Sequence, residues 1–319
     1  MKRFFLFLLV MLCLLSACHA PAPDVSKPDE AEVSSEESLE PSSEEETSAE
    51  PEPTELTDIH ALEEGITYVA RMKELFTFRS EDPQYRMIQG ACFDGETYYI
   101  SAIRGMSDGS EQVRILKLDA EGNTIAESHP LLLDHANNIT YNSRLNRLVV
   151  SHCHSPDNHY YRYSLVDPDR LKITQTADLP YPFYSMAYCE EKDMYASGEW
   201  SGEFVDTWDG DMTPVLHVAV ECPASLSQGV FCDAQGIYFV RSAQNGAASE
   251  IRIYDWECQL TRRIELLTPS GNIEPESINI VGQTVYVVAF DHSRGCGVSY
   301  TLFFENGRNR IKQSKKGAV

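Results

Sequence analysis

Short apolar segments separated by polar turns fill the chain between residues 65 and 304. One of them, MIQGACFDGETYYIS at residues 87–101, is echoed by LSQGVFCDAQGIYFV at residues 226–240. Aligning on that pattern brings out five copies, which begin at Gln89-Gly90, Asn137-Asn138, Tyr184-Ser185, Gln228-Gly229 and Glu276-Ser277. The second members of these pairs are 48, 47, 44 and 48 residues apart. After each first segment comes a turn and a second strand-like run: TYYISAI, RLVVSHC, DMYASGE, IYFVRSA and TVYVVAF. A third follows in most copies, as QVRILKLD, HYYRYSLVD and EIRIYDWE, and then a fourth such as TIAESHPLLL or TRRIELLT. Enrichment in β-branched and aromatic residues between polar turns predicts strands throughout.

Four strands per copy at a period in the mid-forties predicts the blades of a β-propeller. The fold expected is all-β, with five blades. The fifth copy ends after VSYTLFF without a fourth strand, whereas a strand-like segment at residues 66–78 precedes the first copy. That N-terminal segment is expected to complete blade five, which would close the ring and cover an exposed sheet edge. A β-sandwich has similar strand density but gives no reason for five copies in phase.

The N-terminal end is patterned differently. Lys2 and Arg3 are followed by an apolar run to Leu15 that is too short to span a bilayer, and then by Leu15-Ser16-Ala17-Cys18. This arrangement resembles the signal peptide and lipobox of bacterial lipoproteins. The resemblance implies removal of residues 1–17, a lipid on Cys18, and a product anchored to the extracytoplasmic face of the bacterial cell membrane. Between residues 19 and 58 there are 14 acidic residues, one lysine and no aromatic residue. Such a segment buries too little apolar surface to offset its chain entropy, so residues 18–58 are expected to form a lipidated, disordered tether. A coil of that length spans roughly 35 Å.

The tether accounts for 13 of the 23 net negative charges, so the expected propeller domain, residues 59–305, is only moderately acidic. A basic tail follows at residues 306–319, with Arg308, Arg310, Lys312, Lys315 and Lys316. The overall charge argues against nucleic acid as a partner. Seven cysteines lie beyond the tether, without a C-x-x-C pair, which argues against a full disulfide framework or a structural zinc site. Most are expected to be small buried hydrophobes. The domain is expected to act as a monomer.

In a propeller, the loops entering the first strands and those leaving the second strands share one face. The entries place Gln89, His135, Asn137, Tyr184, Gln228 and Glu276 there, and the exits place Arg104, His152, His154, Glu199, Trp200, Arg241, Asp291 and His292. Loops on a rigid scaffold are where binding groups concentrate. Arg104 and Arg241 suit a carboxylate or phosphate, and hence an anionic glycan or small molecule. Trp200 and Tyr184 suit a sugar ring or another flat group. His152 and His154 share one side of a strand, but the spacing offers no further metal ligands. Glu276, Asn137, Gln89 and Gln228 could offer oxygens to calcium, although one carboxylate is weak provision for a hard dication. No cofactor motif is present. Nor is there a G-x-S-x-G, Walker A or H-E-x-x-H motif, so catalysis would rest on Glu199, Glu276, Asp291 or a histidine.

The Gln-Gly starts of the first and fourth copies resemble those of glutaminyl cyclotransferase-like propellers. In that family a Glu-Gly pair follows in the next blade, where this chain has HANNITYN at residues 135–142. The departure argues against cyclotransferase activity. Three classes of function therefore stand: a membrane-anchored binder of an envelope ligand, an enzyme acting on a saccharide or peptide at the same face, and a protein-interaction scaffold.

Overall fold

Each sequence copy becomes a run of antiparallel strands, and in the first four copies the last strand is the most exposed. The computed structural model describes residues 56–106, 110–153, 160–221, 224–243 and 248–306, so Cys18, the acidic segment to residue 55, His154 and the tail from residue 307 lie outside the described residues. After β1 (Tyr68–Phe78), the first copy forms β2 (Met87–Phe93), β3 (Thr97–Gly105), β4 (Glu111–Asp119) and β5 (Thr124–Glu127). The second forms β6 (Asn138–Asn142), β7 (Arg147–Ser151), β8 (Arg162–Asp167) and β9 (Lys172–Asp178). The third forms β10 (Ser185–Cys189), β11 (Met194–Gly198), β12 (Phe204–Asp209) and β13 (Pro214–Ala219). The fourth forms β14 (Leu226–Cys232), β15 (Ile237–Ser242), β16 (Glu250–Tyr254) and β17 (Leu260–Leu267), and the fifth forms β18 (Ile273–Val281), β19 (Thr284–Asp291) and β20 (Cys296–Asn306).

The first three copies are separate four-stranded sheets, but the last two share one eight-stranded sheet in the order β14-β15-β16-β17-β1-β20-β19-β18. Hydrogen bonding therefore delimits three small sheets and one large one rather than five separate ones. The cause is β1. It runs antiparallel along β20, as expected of a closing strand, while Tyr68–Arg71 also pair in parallel with Ile264–Leu267 of β17. That second ladder satisfies edge N–H and C=O groups that would otherwise need water.

The sheets are arranged in a propeller-like way. Their first strands are neighbours in a closed cycle: β2 beside β6, β6 beside β10, β10 beside β14, β14 beside β18, and β18 beside β2. These strands are almost wholly buried, whereas β9 and β13 are largely exposed. An apolar cluster fills each junction. Ile139, Leu148 and Val150 meet Ile103, Val113 and Ile115, and Trp208 and Tyr195 meet Val149 and Tyr163. Phe239 and Val230 pack with Ala187 and Val205, Ile278 and Val287 with Ile251 and Val240, and Phe290 with Ile88 and Ile100. Each large side chain buried this way stabilises the fold by roughly 1.5–3 kcal/mol relative to exposure. Cys92, Cys153, Cys189, Cys232, Cys258 and Cys296 are free and buried.

The repeated Gln-Gly pair has a steric cause. A Cβ on Gly90 would lie 2.5 Å from Asn138 Cα, and one on Gly229 would lie 2.6 Å from the Glu276 carbonyl oxygen. Neighbouring first strands approach too closely at these points for any side chain. Register also shifts there, between Ile88 and Ala91 in β2 and between Ser227 and Val230 in β14, and again between Pro275 and Ser277 in β18. Gln89, Gln228 and Glu276 thus sit in bulges, which re-aim side chains relative to a regular strand.

Candidate functional site

Bulges and tight approach gather the first-strand residues around the axis of the ring. Asn137 donates through Nδ2 to the Gln228 carbonyl oxygen at 2.9 Å. Gln228 donates through Nε2 to Ser242 Oγ at 3.1 Å and to Glu274 Oε1 at 2.9 Å. The other oxygen of Glu274 meets His292 Nε2 at 2.7 Å. Asn138 spans the centre, donating through Nδ2 to the carbonyls of Met186 at 2.7 Å and Val230 at 3.3 Å.

These bonds orient both amides and leave acceptors over. Asn137 Oδ1, Gln228 Oε1 and Glu276 Oε2 are buried without a hydrogen-bond partner, as are the hydroxyls of Ser185, Ser227 and Ser277 on the same strand ends. Native proteins rarely leave buried polar atoms unpaired, and such a concentration points to a water or ligand that supplies partners. Glu276 is 1% exposed. Burial, reinforced by the charge of Glu274, pushes its carboxyl well above the ordinary range and so favours its protonated form. Tyr184 is also buried, and its phenol is raised first by burial and then by Cys153, Glu276 and Glu274. Gln89 is buried at the corresponding place in β2.

The second-strand exits are more varied. His152 is buried between Asp134, whose Oδ2 lies 2.8 Å from Nδ1, and Ser164, whose Oγ lies 2.8 Å from Nε2. His135 Nδ1 meets Glu111 Oε2 at 2.7 Å. Arg241 is buried, with Nε donating to Ser225 Oγ at 3.0 Å and Nη2 donating to the Ser225 carbonyl, and it packs against Gly202. Arg104 is half-buried at the end of β3. Asp291 caps its own turn: Oδ1 accepts from Ser293 and Arg294, and Oδ2 accepts from Arg294, which also pairs with Glu74. These bonds outweigh burial and hold its carboxyl down at about 2.

Trp200 is 53% exposed and borders a cleft of about 280 Å³ with Tyr160, Pro182, Phe183, Glu199 and Ser201. Glu199 is raised by burial, which the nearby His217 partly offsets. The cleft adjoins the axis, because the Tyr184 N–H bonds the Gly198 carbonyl and the Phe183 N–H bonds the Tyr160 carbonyl. The structure thus brings Asn137, Gln228, Glu276 and Tyr184 together, sets Glu199 and Trp200 beside them, and ties Arg241 and Asp291 into local scaffolding. Among the described residues, no group of three or more His, Cys, Asp or Glu is placed to hold a metal ion.

Sequence reasoning missed Glu274, Ser242 and Tyr160. Glu274 had a signal: it stands two residues before Glu276, at the next same-side position of a regular strand. Ser242 follows Arg241 at the exit of the fourth copy's second strand and reaches Gln228 across that hairpin, whereas Tyr160 is brought to the site only by the packing of neighbouring copies.

The fold and this polar neck define an all-β, propeller-like protein with a candidate binding site on the ring axis. Comparison with known proteins fits the fold. The chain is similar to the glutaminyl cyclase of Myxococcus xanthus, at 12% identity and a TM-score of 0.51, over 75% of this chain and 99% of that one. It is also similar to the tail fibre of Staphylococcus aureus phage P68, at 12% identity and a TM-score of 0.51, over 78% of this chain and 56% of that one. No protein-family model and no curated protein sequence matches it.

Proposed function

We propose that the protein is a membrane-anchored, five-bladed propeller that binds an extracytoplasmic saccharide at the face where its first strands begin. The closed cycle of five first strands supports five blades, the fourth and fifth joined through β1. The sequence Leu15-Ser16-Ala17-Cys18 supports the lipid anchor.

The observation that carries the binding reading is the set of unpartnered oxygens of Asn137, Gln228 and Glu276. Two of them are amide acceptors and the third belongs to a carboxyl whose protonated form burial favours, so hydroxyl groups, which both donate and accept, and amide N–H groups suit them. Trp200 and Tyr160 beside them provide flat apolar surface for a sugar ring. A neutral, N-acetylated saccharide fits better than the anionic glycan suggested by Arg104 and Arg241. Arg241 already serves Ser225, and the carboxylates of Glu199 and Glu274 line the approach.

A second reading is enzymatic. A carboxyl raised above its ordinary range suits a general acid, and burial raises Glu276 in that direction. The Myxococcus cyclase shares the fold, but the position of the family's Glu-Gly pair holds Asn137-Asn138, and Asn138 is committed to Met186 and Val230.

Thermal-shift titration with a neutral N-acetylated disaccharide and with polyglucuronate tests the proposal. A ligand of the native state raises the midpoint in proportion to the logarithm of its concentration. A rise with the disaccharide that Trp200→Ala abolishes is expected. A rise with polyglucuronate alone, lost in Arg104→Ala, would return the ligand to the anionic class, and product formation in the same mixtures would favour the enzyme.

A further inference from the structure

The opposite end of the ring axis carries a second concavity with different chemistry. The first strands run from the polar neck toward a cavity of about 560 Å³, bounded by the far ends of β2, β6, β10, β14 and β18. Its lining includes the rings of Phe93, Tyr99, Tyr141, Tyr188 and Phe231. Asp94, Glu190, Glu191 and Asp233 stand among them, and among the described residues no lysine or arginine lines the cavity.

The carboxylates are not equivalent. Asp94 and Asp233 each cap a turn, with Asp94 Oδ1 accepting from the backbone of Glu96 and Thr97 and Asp233 Oδ1 accepting from Gln235 and Gly236. Asp233 also meets His60 Nε2 at 2.8 Å. Glu190 and Glu191 are exposed. A cation already uses one of the rings, since Lys117 Nζ sits 5.4 Å from the Tyr99 centroid.

Carboxylates and aromatic faces together select organic cations, because a ring face attracts an ammonium group and its methylenes pack on the same surface. The carboxylates are spread around the mouth, and no group of three or more His, Cys, Asp or Glu among the described residues is placed to hold a metal ion. An extended ligand with several separated charges fits this arrangement better than a point charge does.

We propose that this mouth is a second binding site, for an aliphatic polycation whose ammonium groups pair with Asp94, Glu190 and Glu191 while its methylenes lie on Tyr141, Tyr188 and Phe231. Such charges have two sources. One is a free polyamine. The other is the chain itself: β20 runs toward this face, and Arg308, Arg310, Lys312, Lys315 and Lys316 follow it in sequence.

The test is calorimetric titration of the full chain with spermidine at fixed ionic strength, beside magnesium and sodium controls. Saturable spermidine binding, at least tenfold weaker in Asp94→Asn/Glu190→Gln, is expected; the asparagine retains the turn acceptor. Glu190→Gln/Glu191→Gln, at two exposed positions, keeps the test valid should the first variant misfold. A variant with the five basic residues changed to glutamine separates the sources. Spermidine binding at least tenfold tighter in it identifies the tail as the resident cation, and unchanged affinity identifies the free amine. Absence of saturable binding in both the wild type and that variant overturns the proposal, as does equal affinity in the carboxylate variants or displacement by magnesium at equal charge.

Discussion

Gly229 and Glu276 meet backbone to backbone, so that a single carbon added to Gly229 would stand 2.6 Å from the Glu276 carbonyl oxygen. Carbonyl oxygens of neighbouring strands cannot move aside as a side-chain tip can. Gly229→Ala is therefore expected to destabilise the domain by about 1–3 kcal/mol through overpacking. Gly90→Ala, which meets Asn138 Cα, should behave alike. Urea denaturation gives the answer, and native-like midpoints for both variants would refute this account of the repeated Gln-Gly pair.

Asn138 fastens three copies of the repeat at the axis. Its amide reaches Met186 and Val230 in β10 and β14, from its own place in β6. Asn138→Ala leaves those buried carbonyls unpaired at that point, and a loss of about 2–3 kcal/mol is expected from the same denaturation experiment.

Stability should be greatest in mildly acidic solution. Burial raises Asp206 to about 6, against a partial offset from its His217 hydrogen bond, and raises Glu276 well above its ordinary range. An acid with a raised folded-state value binds more protons native than unfolded, so stability falls as pH climbs from its ordinary value to its folded one. Asp206 contributes this loss from about pH 4 to about 6, and Glu276 adds to it as pH climbs above its ordinary value. Asp291, lowered to about 2, acts in the opposite sense, and its contribution is lost as pH drops from about 4 to about 2. Asp206→Asn should flatten the pH 4–6 slope, and Glu276→Gln should gain on the wild type more at pH 8 than at pH 5. Denaturation midpoints across pH would decide, and parallel curves for Glu276→Gln and wild type would show that the carboxyl is not held neutral.

Trp200 separates binding from folding. Its half-exposed ring contributes little to the core, so Trp200→Ala should change stability by no more than about 0.5 kcal/mol. If the ring is a platform for the saccharide, the same change should weaken binding about tenfold or more. A variant that melts early, or that binds unchanged, would remove Trp200 from the site.

The proposed membrane attachment is tested separately from both. Cys18→Ala is expected to release the protein from the membrane fraction of a bacterial host, and retention of the variant there would refute the lipid anchor.

The sequence by itself determined the all-β character, the five copies, their phase, and the return of an N-terminal strand to pair with the last copy. These follow from alternation, turn residues and spacing, which act over a few residues and so are written locally. It also placed Gln228 and Glu276 at corresponding strand starts. Only the tertiary structure decided what those positions do. The parallel pairing of Tyr68–Arg71 with β17, which merges two copies into one sheet, depends on how two distant edges meet. The tie between Asn137 and Gln228 and the unpaired oxygens around Glu276 arise from approaches between strands of different copies or from bulges that turn a side chain. Such encounters depend on closure of the ring, and a linear pattern carries no measure of the distance across it.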